Sequence, residues 1–217
     1  MSLKLYYHPL SSFCQKTLIA LYENETKFEP KLVDFSDAAS RQEFLDLWPI
    51  GRFPVLMDEE RDQFVPESSI IIEYLDQHYP GKTKLVPADP DIARQMRMRD
   101  RFFDLYVNVQ MQKVVTDRIR PPDGNKDPYG VEQARGTLKI ALDLIDEAMS
   151  KKTWAMGDSF TMADCAAAPA LFYANQVLPF AETHSHAFAY FERLSKRPSY
   201  ARVQKEAEPY FANFPKD

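Results

Sequence analysis

The stretch SSFC, residues 11–14, stands between a strand-like run and a helical run, where side-chain hydroxyls and thiols can do chemistry. A redox enzyme would carry CxxC there, with the first cysteine as nucleophile, whereas this chain has serine first and keeps only Cys14. The substitution removes the thiol that would form a disulfide with a substrate. A structural role explains the same residues, with Ser11 or Ser12 as helix cap and Cys14 as a small buried side chain.

A proline stands at the head of a predicted inner strand in the segment GRFPVLMD. Because proline has no backbone N–H, it occurs in sheets at a strand start, a bulge or an edge. A cis peptide bond between Phe53 and Pro54 would explain the position.

The segment PESSIIIEYL places Glu67 and Ser68 directly before a predicted helix. A helix N-terminus with free N–H groups, a hydroxyl and a nearby carboxylate can hold both ends of an α-amino acid. The amides would bind its carboxylate and Glu67 its ammonium group, although a simple N-cap role for Ser68 fits too.

The segment SFTMADCAAAP predicts the start of a buried helix. Thr161 can cap this helix while Asp164, three residues on, reaches back to the N–H of the cap, with Phe160 as hydrophobic staple. We therefore assign Asp164 a folding role and not the role of an active-site acid.

The elements that position these motifs follow from hydrophobic periodicity. Residues 3–7 alternate with period two, which predicts a strand, and a helix follows the SSFC turn. The further predictions for this half are a strand at 28–35, a helix at 40–49, a hairpin of strands at 53–58 and 62–67, and a helix from residue 68. Long apolar periods at 92–115 and 131–151 predict a helical second half. We expect domains at 1–80 and 92–217, joined by a proline-rich linker at 81–91.

Composition narrows the function classes. The 217 residues carry a net charge of −5 with interspersed charges, which argues against a nucleic-acid partner. No apolar run reaches the roughly 20 residues of a membrane span, and the N-terminus has no signal-peptide pattern, so we expect no membrane partner. Two distant cysteines do not form a disulfide framework, which favours a cytoplasmic location.

The order of the motifs resembles a thioredoxin-like domain, with a CxxC-like turn after strand one, proline before strand three and an acidic-Ser turn before the last helix. Followed by a helical half, the chain resembles the cytosolic glutathione S-transferase family from LKLYYHPLSSFCQK to RPSYARV. Its first motif is similar to the serine-type, theta/delta/zeta-like motifs and looks bacterial. The resemblance implies an α/β thioredoxin-like N-terminal domain (βαβαββα) followed by an all-α C-terminal domain.

The resemblance also implies roles for particular residues. Ser11, with Ser12 as open alternative, would donate a hydrogen bond to the thiolate of glutathione. The implied glutathione-binding positions are Arg52 at the glycine end, Phe53, Pro54 and Val55 at the cysteinyl part, and Glu67 and Ser68 at the γ-glutamyl end. Phe13, Phe102 and Tyr106 would line the electrophile pocket. Phe13, Gln15 and Lys16 differ from the SSCxWR pattern of the zeta-class isomerases, which argues against maleylacetoacetate isomerisation.

The implied function is a detoxifying glutathione transferase that activates the glutathione thiol for attack on a small hydrophobic electrophile. Glutathione would be a co-substrate, with no other cofactor and no metal, and the protein would be a homodimer. Two other functions stay open: a glutathione-dependent thiol transferase or reductase that uses Cys14, and a non-catalytic glutathione-binding scaffold.

Overall fold

The computed structural model describes residues 2–121 and 124–215. Its first part has the predicted order βαβαββα. In chain order the elements are β1 (Leu3–Tyr7), α1 (Ser12–Glu23), β2 (Glu29–Leu32), α2 (Ala38–Leu47), β3 (Val55–Asp58), β4 (Gln63–Pro66) and α3 (Ser68–His78).

The four strands form one mixed sheet in the order β2-β1-β3-β4. β1 runs parallel to β2 and antiparallel to β3, and β3 forms a hairpin with β4. Leu5 and Leu56 are opposite one another in the two inner strands, and both side chains are fully buried. Val55, the first residue of β3, is opposite Tyr6 on one side and Pro66 on the other.

Two predicted elements have different bounds in the structure. The strand predicted at 28–35 covers only 29–32, because the chain turns at Asp34, which accepts hydrogen bonds from the N–H and hydroxyl of Ser36. The helix predicted at 40–49 begins at 38, capped by Asp37, whose carboxylate accepts from the N–H of Ser40 at 2.7 Å. It ends at 47, since the residue before Pro49 is extended.

Helices make up the second part of the chain. They are α4 (Pro90–Phe102), α5 (Val109–Ile119), α6 (Pro128–Met149), α7 (Met162–Val177), α8 (Ser185–Ser195), α9 (Pro198–Ala207) and a 3₁₀ turn (Glu208–Asn213). A π-helical segment, Phe103–Asn108, joins α4 to α5 without a break. Between the two helical runs that the sequence predicts at 92–115 and 131–151, residues 122 and 123 lie outside the described residues. None of the helices in the described ranges is long and apolar enough to cross a membrane.

The predicted capping box at the start of α7 is confirmed. The carboxylate of Asp164 accepts from the N–H of Thr161 at 2.8 Å, from the N–H of Ala155 at 2.8 Å and from the hydroxyl of Tyr190 at 2.6 Å. All of these hydrogen bonds stabilise the fold, so Asp164 has the folding role that the sequence predicts. α7 is buried along most of its length and packs against α1, α4 and α8.

Two ionic clusters join the helical part to α1. The Lys16 cluster consists of Lys16, Ser69, Asp100 and Asp104: the Lys16 Nζ is 2.7 Å from Asp100, 2.9 Å from Asp104 and 2.8 Å from the Ser69 hydroxyl. Lys16 and Asp100 are each only 1% exposed. At the other end of α1, Glu23 accepts two hydrogen bonds from the Arg197 guanidinium, at 2.7 and 2.6 Å. These contacts fix α1 against the helical part.

Candidate active site

Ser11 and Ser12 occupy different environments at the start of α1. Ser11 is the N-cap residue, with extended backbone, and its Oγ accepts from the N–H of Cys14 at 3.3 Å. It lines a cavity of about 560 Å³, whereas Ser12, the first helical residue, is buried and is absent from the described lining. The hydroxyl that reaches the cavity at the N-terminus of α1 is that of Ser11.

Cys14 lies one turn into α1 and is fully buried. Burial raises the pKa of its thiol to about 12, against the smaller opposing effects of hydrogen bonds with Ser11 and His8. A thiol with this pKa is almost wholly protonated at neutral pH and is a poor nucleophile. The environment of Cys14 therefore matches the packing role and not the redox role.

The loop before β3 brings Arg52, Phe53 and Pro54 to the same cavity. The Phe53–Pro54 peptide bond is cis, as the sequence predicts. Gly51 has φ +65°, a left-handed conformation that glycine adopts without steric cost. Arg52 is exposed, and its side chain has no ion pair with any described residue, so its guanidinium is available to a ligand.

Glu67 and Ser68 form a second helix N-terminus at the cavity. Glu67 is the N-cap residue of α3, takes the left-handed value φ 72°, and makes no capping hydrogen bond through its side chain. The Glu67 carboxylate therefore accepts no hydrogen bond from the first N–H groups of α3. Both residues line the cavity, as do Arg52, Phe53 and Pro54 of the loop before β3.

We call the space lined by these residues the first cavity. Its described lining consists of Ser11, Phe13, Phe35, Gly51, Arg52, Phe53, Pro54, Glu67, Ser68 and Gln112. The lining includes every predicted site residue of the N-terminal part except Ser12 and Val55, whose side chain is buried in the sheet. Phe35 and Gln112 also belong to the described lining, but they lie outside the sequence motifs and have no local signal that predicts this position.

Phe102 and Tyr106 are not where the sequence analysis expects them. Neither belongs to the described lining of the first cavity. Phe102 lines a separate cavity of about 500 Å³ between α4 and α6, with Leu144 and Ile145, and Tyr106 is half-exposed beside Phe102, with ring centroids 5.4 Å apart. Of the three predicted electrophile residues, only Phe13 lies at the first cavity.

The π-helical segment explains this difference. In an unbroken α-helix, residues 102, 106, 109 and 113 would share one face, because they are spaced at i, i+4, i+7 and i+11. A π turn takes more residues than an α turn, so the face that starts at Phe102 does not continue along α5. Periodicity taken from the sequence assumes one uniform helix and therefore places Phe102 and Tyr106 on the same face as Val109 and Lys113.

The face that α5 presents to the cleft is polar. We call it the α5 stripe; its members, spaced at i, i+3, i+4, i+7, i+8 and i+11, are Val109, Gln112, Lys113, Thr116, Asp117 and Arg120. With Arg52 and the first turn of α6 it lines a second cavity of about 240 Å³. Arg52 and Gln112 line both cavities, which therefore adjoin.

Comparison with known proteins gives the family. Residues 5–83 match the glutathione S-transferase N-terminal domain, and residues 106–198 match the glutathione S-transferase C-terminal domain. The chain belongs to the glutathione S-transferase family. It is 27% identical to glutathione S-transferase F13 of Arabidopsis thaliana over 210 residues, 94% of this chain and 95% of that protein.

Other relatives add to this result. A stringent starvation protein A homologue of Histophilus somni is 28% identical over 94% of this chain and 91% of its own length. The crystal structure of a glutathione S-transferase from Methylobacillus flagellatus KT with glutathione bound matches with a TM-score of 0.84 at 24% identity, over 93% of this chain and 98% of that one. The predicted fold class, a thioredoxin-like domain followed by an all-α domain, is confirmed.

Proposed function

We propose that this member of the glutathione S-transferase family binds glutathione in the first cavity and transfers it to an electrophile, with Ser11 stabilising the glutathione thiolate. The observation that carries the proposal is the position of the Ser11 hydroxyl, at the N-terminus of α1 and on the cavity shared with Glu67 and Ser68. The thiol proton first leaves to solvent, and the thiolate sulfur then attacks the electrophilic carbon. A C–S bond forms while the bond to the leaving group breaks and that group departs with its electron pair; in an addition, the π bond breaks instead and the neighbouring atom takes up a proton.

The ends of the tripeptide would be held apart from its sulfur. We assign the γ-glutamyl group to Glu67 and Ser68, where a carboxylate and a helix N-terminus suit an ammonium and a carboxylate group. We assign the glycine carboxylate to Arg52 and the backbone of the cysteinyl residue to Val55, behind the cis Pro54. The sulfur then lies toward Ser11 and Phe13.

The energies support a hydrogen-bonding role for Ser11. A free cysteine thiol has a pKa of about 8.5, and lowering it by ~2 units requires about 2.7 kcal/mol. A helix N-terminus contributes roughly 0.3–1 kcal/mol and a hydrogen bond to a charged sulfur about 1.5–3 kcal/mol. The Ser11 oxygen accepts from Cys14 and still has its own proton to donate, so capping and thiolate stabilisation are compatible.

The test compares Ser11→Ala with Ser12→Ala and Cys14→Ala in the conjugation of 1-chloro-2,4-dinitrobenzene. We expect Ser11→Ala to reduce kcat roughly 10- to 100-fold near neutral pH, with little change in the KM for glutathione. Raising the pH restores much of the rate, because hydroxide then ionises the thiol that the missing hydroxyl no longer stabilises. Ser12→Ala and Cys14→Ala keep most of the activity.

Two outcomes would contradict the proposal. If Cys14→Ala abolishes turnover while Ser11→Ala leaves the rate and its pH profile unchanged, the protein is a cysteine-dependent thiol transferase. If the folded wild-type protein does not bind immobilised glutathione, the whole proposal fails.

We further infer a homodimer in the cytoplasm. The interface would use α3 and α4, which carry the exposed apolar side chains Ile70, Ile92 and Met98, and a monomer in sedimentation at micromolar concentration would contradict it. Both cysteines of the chain are free and buried, which suits a reducing compartment.

A further inference from the structure

The second cavity adjoins the first, in which the proposed function places glutathione, through the shared residues Arg52 and Gln112. Gln112 links the two cavities, and along α5 the next members of the stripe on the far side of Gln112 are Lys113 and Thr116. An α-helix rises about 1.5 Å per residue, so Lys113 lies about 1.5 Å and Thr116 about 6 Å further along the helix axis than Gln112. A small electrophile that reacts at the sulfur can extend its far end into this space.

Among the described residues, the charged groups around the second cavity do not balance one another. The described lining has three cations, Arg52, Lys113 and Arg120, against two carboxylates, Asp117 and Asp127. Arg120 is 3.3 Å from Asp117, which also accepts from the N–H of Asp127 at 2.7 Å. Asp127 caps α6 by accepting from the N–H of Gly130 at 2.8 Å. Both carboxylates are therefore already engaged in the local structure.

Lys113 is the cation left for a ligand. Its Nζ donates to the amide oxygen of Gln110 at 3.3 Å, and no ion pair involves it among the described residues. Arg52 is the other cation of this described lining that has no ion pair with a described residue, and the proposed function assigns it to the glycine carboxylate of glutathione. An uncompensated cation in a cleft attracts anions and raises their local concentration.

We propose that the second cavity binds an anionic group of the electrophile, and that Lys113 selects aromatic or unsaturated carboxylates over their neutral analogues. The inference rests on the proposed function, since it names the second substrate class of the same site. It differs from the sequence-based expectation of a purely hydrophobic electrophile: Val109 and Val131 supply some apolar contact, but the remaining members of the lining are polar, charged or glycine.

The test uses a matched pair, 4-chloro-3,5-dinitrobenzoate and its methyl ester, which react at the same carbon. In both, the sulfur replaces chloride: the C–S bond forms, the C–Cl bond breaks, and chloride leaves with its electron pair. After correction for the uncatalysed rates, we expect the wild-type kcat/KM to favour the acid. Lys113→Gln lowers kcat/KM for the acid about three- to five-fold and leaves the ester unchanged, as expected for a partly exposed ion pair. Added salt reduces the preference of the wild type for the acid.

Lys139→Gln is the matched control, because Lys139 is exposed on α6 and does not line the cavity but carries the same charge. This variant keeps the wild-type preference. A second readout is independent of turnover: in the presence of S-methylglutathione, calorimetry compares binding of 3,5-dinitrobenzoate with its methyl ester. We expect Lys113→Gln to weaken binding of the acid only.

The two proposals fail in different ways. Conjugation of the ester without any preference for the acid overturns the inference and leaves the proposed function intact. A Lys113→Gln variant whose KM for glutathione rises, with acid and ester affected equally, also overturns it, because Lys113 would then hold glutathione. Absence of conjugation with either compound counts against the proposed function, and the calorimetric comparison then decides the inference by itself.

Discussion

The first and second cavities together form a cleft with two walls: an N-terminal wall that carries Ser11, Pro54 and Glu67, and a C-terminal wall formed by the α5 stripe. The two walls position their residues in different ways. On the N-terminal wall, Ser11, Pro54 and Glu67 each stand at a junction between a strand or loop and the next element, and each has its own backbone feature: a helix cap, a cis bond and a left-handed residue. On the C-terminal wall, the α5 stripe runs from Val109, the first residue of α5, to Arg120, directly after its last residue. Its members reach the cleft only because of the helix register.

The difference teaches which kinds of site can be found by sequence reasoning. A cap, a proline and an acidic-Ser turn act through neighbouring backbone atoms, so their residue types are visible locally. Which residues of a helix share a face depends on the number of residues in every preceding turn. The six-residue π-helical segment Phe103–Asn108 changes this number, and its sequence contains no glycine or proline that would indicate the change.

The largest effect is expected where the two walls meet, at the Lys16 cluster. Burial alone would lower the pKa of Lys16, but Asp100 and Asp104 outweigh it and raise the pKa, so the lysine is charged in the folded protein. Lys16→Met leaves two carboxylates buried, and among the described residues their remaining ion-pair partner is the half-exposed Arg101, 3.3 Å from Asp104. We expect urea denaturation to show a free energy of unfolding lower by about 3–5 kcal/mol.

The control for this variant is Lys82→Met, which removes an equal charge from the exposed pair with Glu25, 2.9 Å apart. Its stability should stay near that of the wild type, since solvent screens exposed pairs. Because Ser69 ties the cluster to the start of α3, Lys16→Met should also raise the KM values of both substrates. A loss of stability below about 1 kcal/mol would mean that the two walls are not held together here.

A smaller effect, confined to the N-terminal wall, is expected at Asp58. This buried residue ends β3 and accepts hydrogen bonds from Tyr74, at 2.7 Å, and from Tyr79, which join the strand of Val55 to the helix of Ser68. Burial would raise the Asp58 pKa, but the hydrogen bonds from Tyr79 and Tyr74 outweigh it and lower the pKa. Tyr79→Phe should reduce the free energy of unfolding by about 1.5 kcal/mol at neutral pH.

The pH dependence of the stability difference between the wild type and Tyr79→Phe follows from the direction of the Asp58 pKa shift. A carboxylate with a lowered pKa stabilises the fold above the unfolded pKa, about 3.9, and loses that contribution as the pH falls further. The gap between wild type and Tyr79→Phe in urea denaturation should therefore be full at neutral pH and narrow below about pH 4. An equal gap at both pH values would show that Asp58 ionisation plays no part.

Much of the fold and of the N-terminal wall was predictable from the sequence. The order βαβαββα, the cis Pro54 and the Thr161–Asp164 box all follow from local rules of proline, caps and periodicity, and each is present. Which of Ser11 and Ser12 lines the first cavity was not predictable, because adjacent serines have the same chemistry and only the cap geometry separates them. Phe35 and Gln112 reach the cavity through tertiary packing, for which a single sequence has no signal.

The smallest effect is expected at Tyr106, and it tests the register of the C-terminal wall. Tyr106 is half-exposed and contacts Phe102, away from both cavities of the cleft. Tyr106→Ala should change stability by no more than about 0.5 kcal/mol and leave the KM for the electrophile unaltered. Gln112→Ala, which removes a side chain that lines both cavities, should raise that KM several-fold while Tyr106→Ala does not. The reverse pattern would require the face of Phe102 and Tyr106 to continue along α5, which happens only if residues 103–108 form ordinary α-helix. Steady-state kinetics of these two variants therefore shows whether the π-helical segment determines which face of α5 contacts the substrate in solution.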